Sequence, residues 1–159
     1  MSRWHNWYLD GCAHFCTTTV AGWEARLVGD AKSVVYEEWE GARQAYAVRV
    51  LAFVVMPAHS HLLLWAQRGA SVRTFLQHTL ANTSRRLQRG GGFWKERPRV
   101  LGIWSRRVLE IRRDYIHDNP VRGELVQRPE DWLDSSFREL ELGATDVPFR
   151  CDSGEGIGV

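Results

Sequence analysis

The stretch "VVMPAHSHLLLW", Val54 to Trp65, puts two imidazoles, His59 and His61, one residue apart in an apolar run. Successive side chains on a β-strand alternate faces, so a pair at i and i+2 points to one side of the sheet. Two ring nitrogens so arranged can share a metal ion. Equally, the pair can sit on an edge strand, bonded to backbone and water. Further on, Tyr115 and Asn119 are four residues apart, which sets a phenol and a carboxamide on one helical face, with Ile111 and Val108 expected behind them. Together they offer a nucleophile and a third ligand. Two imidazoles and one neutral oxygen leave coordination positions open, as a catalytic rather than a structural site requires.

A phenol with a pKa near 10 is a poor nucleophile. A metal polarising a phosphodiester would make phosphorus more electrophilic and stabilise the charge that develops on transfer. The phosphotyrosine formed keeps the energy of the phosphodiester, so a strand can be cut and rejoined without ATP. The competing reading of Tyr115 is an amphipathic tyrosine that packs on the core with its hydroxyl in water. His117 and Asp118 are expected to face away from Tyr115, as surface or turn residues. Cys12, His14 and Cys16 share a strand face, but one extended strand cannot wrap a tetrahedral ion and no fourth ligand is evident, so zinc is not expected.

The elements that must position these groups follow from pattern and punctuation. "HFCTTTV" predicts a strand through Val20, and Asp30 is placed to cap a helix from Ala31 to about Tyr46 with a stripe of Val35, Trp39, Ala42 and Tyr46. "AVRVLAFVV" is a strand stopped by Pro57, and "HSHLLLWA" is its antiparallel return. Ser71 opens a helix carrying Val72, Phe75, Leu76, Leu80, Thr83 and Leu87, halted by Gly90 to Gly92. "FWKERPRVLGIW" reads as irregular or short-strand material, with Trp94 a candidate base-stacking residue. Ser105 caps a helix expected to end near Asn119, because Pro120 disfavours a helical residue before it. Ser136 and Glu139 have capping-box spacing. The order of strands and helices predicts an α+β fold of ferredoxin-like type, an antiparallel sheet with packed helices, over residues 1–142. Residues 143–159 have little to bury and are expected to form a largely disordered tail.

The chain has 159 residues and a formal net charge of +2, unevenly spread. Arg68 to Arg128 carries 14 Lys/Arg against 5 Asp/Glu, whereas the remainder carries 7 against 14. Such a basic segment suits a polyanion, although solvated helix faces give the same count. The candidate DNA contacts are Arg85, Arg86, Arg89 and Lys95, with Arg106, Arg107, Arg112 and Arg113 on the tyrosine helix. Three cysteines without a disulfide framework, and a start "MSRWHNWYLD" without a continuous apolar segment, predict a cytoplasmic protein without a membrane span.

Three separated motifs, "MPAHSHLLLW", "YIHDNPVRGELV" and "RPEDWLDSSFRE", resemble those of the single-tyrosine HUH transposases, in particular the bacterial REP-associated tyrosine transposases. "HFCTTTV" and "GGGFWKERP" stand where that family has its first strand and a Gly-x-x-Trp segment, so the resemblance runs from about Tyr8 to Glu139. It implies that His59 and His61 bind metal, that Asn119 completes the site, and that Tyr115 is the nucleophile. It implies cleavage and joining of single-stranded, hairpin-containing DNA through a 5′-phosphotyrosine, with Mg²⁺ or Mn²⁺, by a monomer or a homodimer. Three features depart from the pattern: Ala58 replaces an Asn, Ser60 replaces a bulky apolar residue between the histidines, and the segment from Trp94 to Tyr115 matches only loosely. A domesticated hairpin-binding protein of the same fold, without strand transfer, is the alternative these departures admit.

Overall fold

Parity along the strands decides which side chains meet. The computed structural model describes residues 5–87, 92–95 and 97–159. Its sheet contains β1 (Ala13–Thr19), β2 (Arg49–Val55), β3 (His59–Trp65) and β4 (Arg99–Ile103), in the spatial order β2-β3-β1-β4 with every pair antiparallel. Helix α1 (Asp30–Tyr46) joins β1 to β2, and α2 (Gly69–Leu87) joins β3 to β4. This is the expected α+β, ferredoxin-like arrangement. Helix α3 (Arg106–Arg122) follows β4, and a short α4 (Phe137–Leu142) closes the regular elements.

The sheet separates two cores. On one face Leu62, Leu64 and Phe53 pack with Val35 and Trp39 of α1 and with Val72, Phe75 and Leu76 of α2. On the other, Phe15, Leu63 and Val54 pack with Ile116 of α3. Each fully buried Phe or Leu stabilises the fold by about 1.5–3 kcal/mol. A register shift between Val50 and Ala52 lets Leu51 and Ala52 both serve the α3 face before Phe53 returns to the other. His59, His61 and Leu63 share parity, so the histidines stand on the α3 face and Ser60 on the α1/α2 face.

Several boundaries differ from the sequence expectation, each for a tertiary reason. Helix α2 begins at Gly69, not Ser71, because the Asp10 carboxylate accepts the Gly69 N–H at 2.7 Å. No other residue fits there, since a Cβ would lie 2.4 Å from the Tyr8 carbonyl. Asp30 does not cap α1; Gly29 holds that position without a side-chain bond. Ser105 does cap α3, accepting from the Val108 N–H at 3.3 Å. Helix α3 then runs past Asn119 and through Pro120 to Arg122. The helix closes just beyond the proline, where Gly123 N–H returns to the Asn119 carbonyl at 2.9 Å and Leu125 N–H to that of Pro120 at 3.0 Å.

Ser136 and Glu139 form no capping box. Ser136 is already helical, and its Oγ accepts from Phe53 N–H at 3.0 Å, while Glu139 accepts the Cys151 N–H at 2.9 Å. The segment after Gly143, expected to be disordered, packs instead. Phe149 is only 5% exposed, surrounded by Tyr36, Trp39 and Phe53, and Asp152 N–H bonds the Val50 carbonyl at 2.8 Å. Gly90 and Gly91, within the expected stop of α2, lie outside the described residues, as does Arg89.

Candidate active site

Strand β3 delivers His59 and His61 to the sheet face that α3 covers, and α3 delivers Tyr115 and Asn119. The imidazole centroids are 4.9 Å apart, and the Tyr115 ring lies 5.4 Å from that of His61. Phe15 on β1 backs both, stacked at 5.2 Å on His61 and edge-on at 5.8 Å to Tyr115. Asn119 is buried, with Oδ1 3.1 Å from Nε2 of His59. Thr17, paired with His61 across β1 and β3, places its Oγ1 2.8 Å from Nδ1 of His61. With Nδ1 protonated and donating to Thr17, the Nε2 lone pair of His61 is left for the cavity.

Burial sets the protonation. It drives the His61 pKa down to about 3, with neighbouring His59 and Arg112 adding to the fall. His59 is also lowered by burial, against an opposing contribution from Asn119. Both imidazoles are neutral at physiological pH and keep a lone pair for a metal. The cavity they line has a volume of about 550 Å³. Arg99, Arg112 and Arg122 border it, and none of the described residues that line it is acidic. The Arg112 guanidinium lies 5.0 Å from the Phe15 ring, and that of Arg122 lies 5.3 Å from the Tyr115 ring. Three cations and two neutral imidazoles suit a phosphodiester.

Two imidazole nitrogens and one amide oxygen could hold a divalent ion. His59 Nε2 and Asn119 Oδ1 lie 3.1 Å apart in a hydrogen bond, so one ion could draw on both groups. Among the described residues no cluster of three His, Cys, Asp or Glu could hold a metal otherwise. Cys12 and Cys16 are free thiols, and His14 Nε2 accepts the Leu9 N–H at 3.0 Å.

The expected site residues do not all converge. His59, His61, Arg112, Tyr115 and Asn119 line one cavity. Arg106 is exposed beside Glu110, and Arg113 turns to Glu141 at 3.6 Å. Arg85 donates to Asn82 at 3.1 Å, while Arg86 is held by Glu37 at 2.6 Å and Glu38 at 2.9 Å. Arg107 is exposed on α3 but does not line the cavity. Lys95 lies in a second groove of about 940 Å³, with Arg73 and Arg97, that reaches the first cavity through the shared Arg99. Val108 and Ile111, expected behind the site, are 40% and 53% exposed. His117, expected at the surface, is buried with Nε2 2.9 Å from the Ser136 Oγ, whereas Asp118 is exposed. Trp94 is no free platform, because its Nε1 donates to Thr83 at 2.7 Å and its ring packs on the core.

Sequence reasoning missed Thr17, Trp23, Arg99 and Arg122. Arg122 had a readable signal: it lies seven residues beyond Tyr115, on the same helical face, once the helix is allowed through Pro120.

The fold is that of the tyrosine transposases. The chain superposes with a TM-score of 0.81, at 20% identity, on a REP-associated tyrosine transposase solved bound to a REP hairpin, over 100% of this chain and 98% of that one. A proposed transposase from Deinococcus radiodurans R1 superposes with a TM-score of 0.51 at 20% identity, over 74% of this chain and 95% of its own. No protein-family profile and no curated sequence matches the chain. Among the described residues no helix is long and apolar enough to cross a membrane.

Proposed function

We propose that this protein cuts and rejoins single-stranded DNA beside hairpins, with Tyr115 as nucleophile. The observation that carries the reading is the single cavity that joins Tyr115, two neutral imidazoles, the Asn119 amide and three guanidinium groups. His59, His61 and Asn119 would hold Mg²⁺ or Mn²⁺, which when bound withdraws charge from the scissile phosphate. Arg122 lies over the Tyr115 ring and Arg112 over Phe15, so two positive charges border the place where a phosphate would meet the Tyr115 oxygen. The Tyr115 oxygen forms a bond to phosphorus as the bond from phosphorus to the 3′-oxygen breaks. The phenolic proton passes to solvent and the departing 3′-oxygen takes one up. The 5′-phosphate then remains on Tyr115 until a 3′-hydroxyl attacks it, which reseals the strand and restores the phenol.

A hairpin oligonucleotide with labelled single-stranded flanks and Mn²⁺ tests this directly. A protein–DNA adduct that survives denaturation is expected, and Tyr115→Phe should abolish it while leaving hairpin affinity within about twofold. An adduct that persists in the Phe variant, or maps to Tyr8, Tyr36 or Tyr46, would remove Tyr115 from the role. Tight binding with no adduct under any metal would instead identify a hairpin-binding protein that acts by occupancy.

A further inference from the structure

Trp23 stands at the mouth of the cavity with its side chain 62% exposed, although a bulky apolar ring is normally covered. Its backbone φ is 57°, in the left-handed region that side chains rarely adopt. Burial does not compensate for that conformation, so its neighbours must enforce it. Gly22 precedes it at φ 67°, and the Trp23 N–H donates to the Val20 carbonyl at 3.0 Å. The same loop is tied to the turn before His59 by Val20 N–H to the Ala58 carbonyl at 2.8 Å and Leu27 N–H to the Pro57 carbonyl at 2.9 Å. The indole meets the His59 ring edge-on at 5.7 Å, so it is fixed relative to the histidines while its surface stays largely open to solvent. Trp7 and Trp104 are as exposed, but neither lines this cavity.

We propose that Trp23 is the stacking platform for one unpaired nucleobase next to the scissile phosphate, a subsite that rests on the strand-cleavage reading above. An aromatic wall beside guanidinium groups matches the two halves of a nucleotide, a π-face and a phosphate. Arg99 and Arg122 border the same cavity and supply the phosphate half. A base inside a duplex has both faces covered by its neighbours, so the platform selects single-stranded DNA. Every base has a π-face, so it does so with little preference among the four.

The test needs no chemistry and is made in the Tyr115→Phe background with a hairpin bearing a single-stranded flank. Trp23→Ala should weaken binding about tenfold, and Trp23→Phe should restore most of the loss. Abasic positions are then walked along the flank. With Trp23 present one position should lose affinity by a similar factor, and in Trp23→Ala that same position should become neutral. Trp23→Gly separates this role from a structural one, since glycine accepts the positive φ: it should melt no lower than the wild type yet bind as weakly as the Ala variant. Losses that simply add at every position, or a flank-independent loss, overturn the proposal, as does absence of binding to the flank. Failure of the adduct assay with this coupling intact would instead count against Tyr115 and leave Trp23 in place.

Discussion

Replacing Arg73, Lys95 and Arg97 together with alanine should change how DNA affinity depends on salt, by an amount set by the groove they share. The groove connects through Arg99 with the Tyr115 cavity, and none of the described residues that line it is acidic. Among the described residues none of the three is held in an ion pair, so their charges are available to phosphates. Each single-strand phosphate neutralised contributes about 0.7 to the slope of log affinity against log salt. Three contacts therefore account for a slope of about 2, and over a roughly fourfold rise in salt the wild type should lose about 20-fold more affinity than the triple variant. Fluorescence anisotropy with a labelled hairpin, titrated in EDTA at a series of salt concentrations, measures both slopes. Arg85→Ala with Arg86→Ala is the control. These residues lie about 18 Å along α2 from Arg73 and are bonded to Asn82, Glu37 and Glu38. Their removal should leave the slope alone. A triple variant with the wild-type slope, or a control pair that flattens it equally, would refute the assignment of this groove to the DNA backbone.

Other expectations follow from the same contacts. His59→Ala and His61→Ala should each abolish measurable Mn²⁺ binding by calorimetry, and Thr17→Val should weaken it about tenfold because His61 loses the partner that orients it; undiminished binding would place the ion elsewhere. His117 is lowered to about 4 by burial and by Arg113, with Asp114 opposing, so the unfolded chain binds its proton first as pH falls. The Glu141 carboxylate, 3.8 Å away and partly exposed, does not offset this. Stability is therefore full above about pH 6.5 and declines toward pH 4, by roughly 3 kcal/mol from this group. His117→Gln should flatten the decline in urea melts made in EDTA, and an unchanged pH profile would argue against the assignment. Phe149→Ala should cost about 3–5 kcal/mol, since the ring fills a pocket among Tyr36, Trp39 and Phe53; a change in melting under a few degrees would show that the C-terminal segment contributes little.

What could be read from the sequence was whatever depends on local period. Alternation around "HSHLLLW" and the four-residue step from Tyr115 to Asn119 placed both pairs correctly, because strand and helix geometry alone decide which side chains share a face. What could not be read depends on groups far apart in the chain. Asp10 caps α2 across 59 residues, and Ser136 spends its hydroxyl on Phe53 and His117 instead of its own helix. Phe149 lies in a segment of tail-like composition yet completes an aromatic cluster built from α1 and β2. The arginines were the weakest case. Charge density shows that a surface is basic, but only the fold distinguishes Arg86, neutralised by two glutamates, from Arg112 at the cavity.

Ser60 shows how the two faces of one strand answer different demands. It lies between the histidines where a bulky apolar side chain was expected, and its burial there would leave a hydroxyl without water. Thr18 stands opposite it in the β1–β3 register, with Oγ1 2.6 Å from the Ser60 Oγ. Each hydroxyl satisfies the other, which avoids the cost of about 1–3 kcal/mol for a buried polar group left unpaired. One residue away on the same two strands, Thr17 reaches His61 on the opposite face. The run Thr17–Thr18 thus serves both sides of the sheet, one hydroxyl orienting a candidate ligand and the next compensating the serine behind it. A polar residue between the histidines is therefore compatible with an intact site, because its hydroxyl finds a partner on the neighbouring strand. Ala58 is different: it offers no side-chain polar group, and only its carbonyl is used, accepting the Val20 N–H at the base of the loop that carries Trp23. That bond is made by the backbone, so the loop that carries Trp23 is held in the same way whatever side chain stands at position 58.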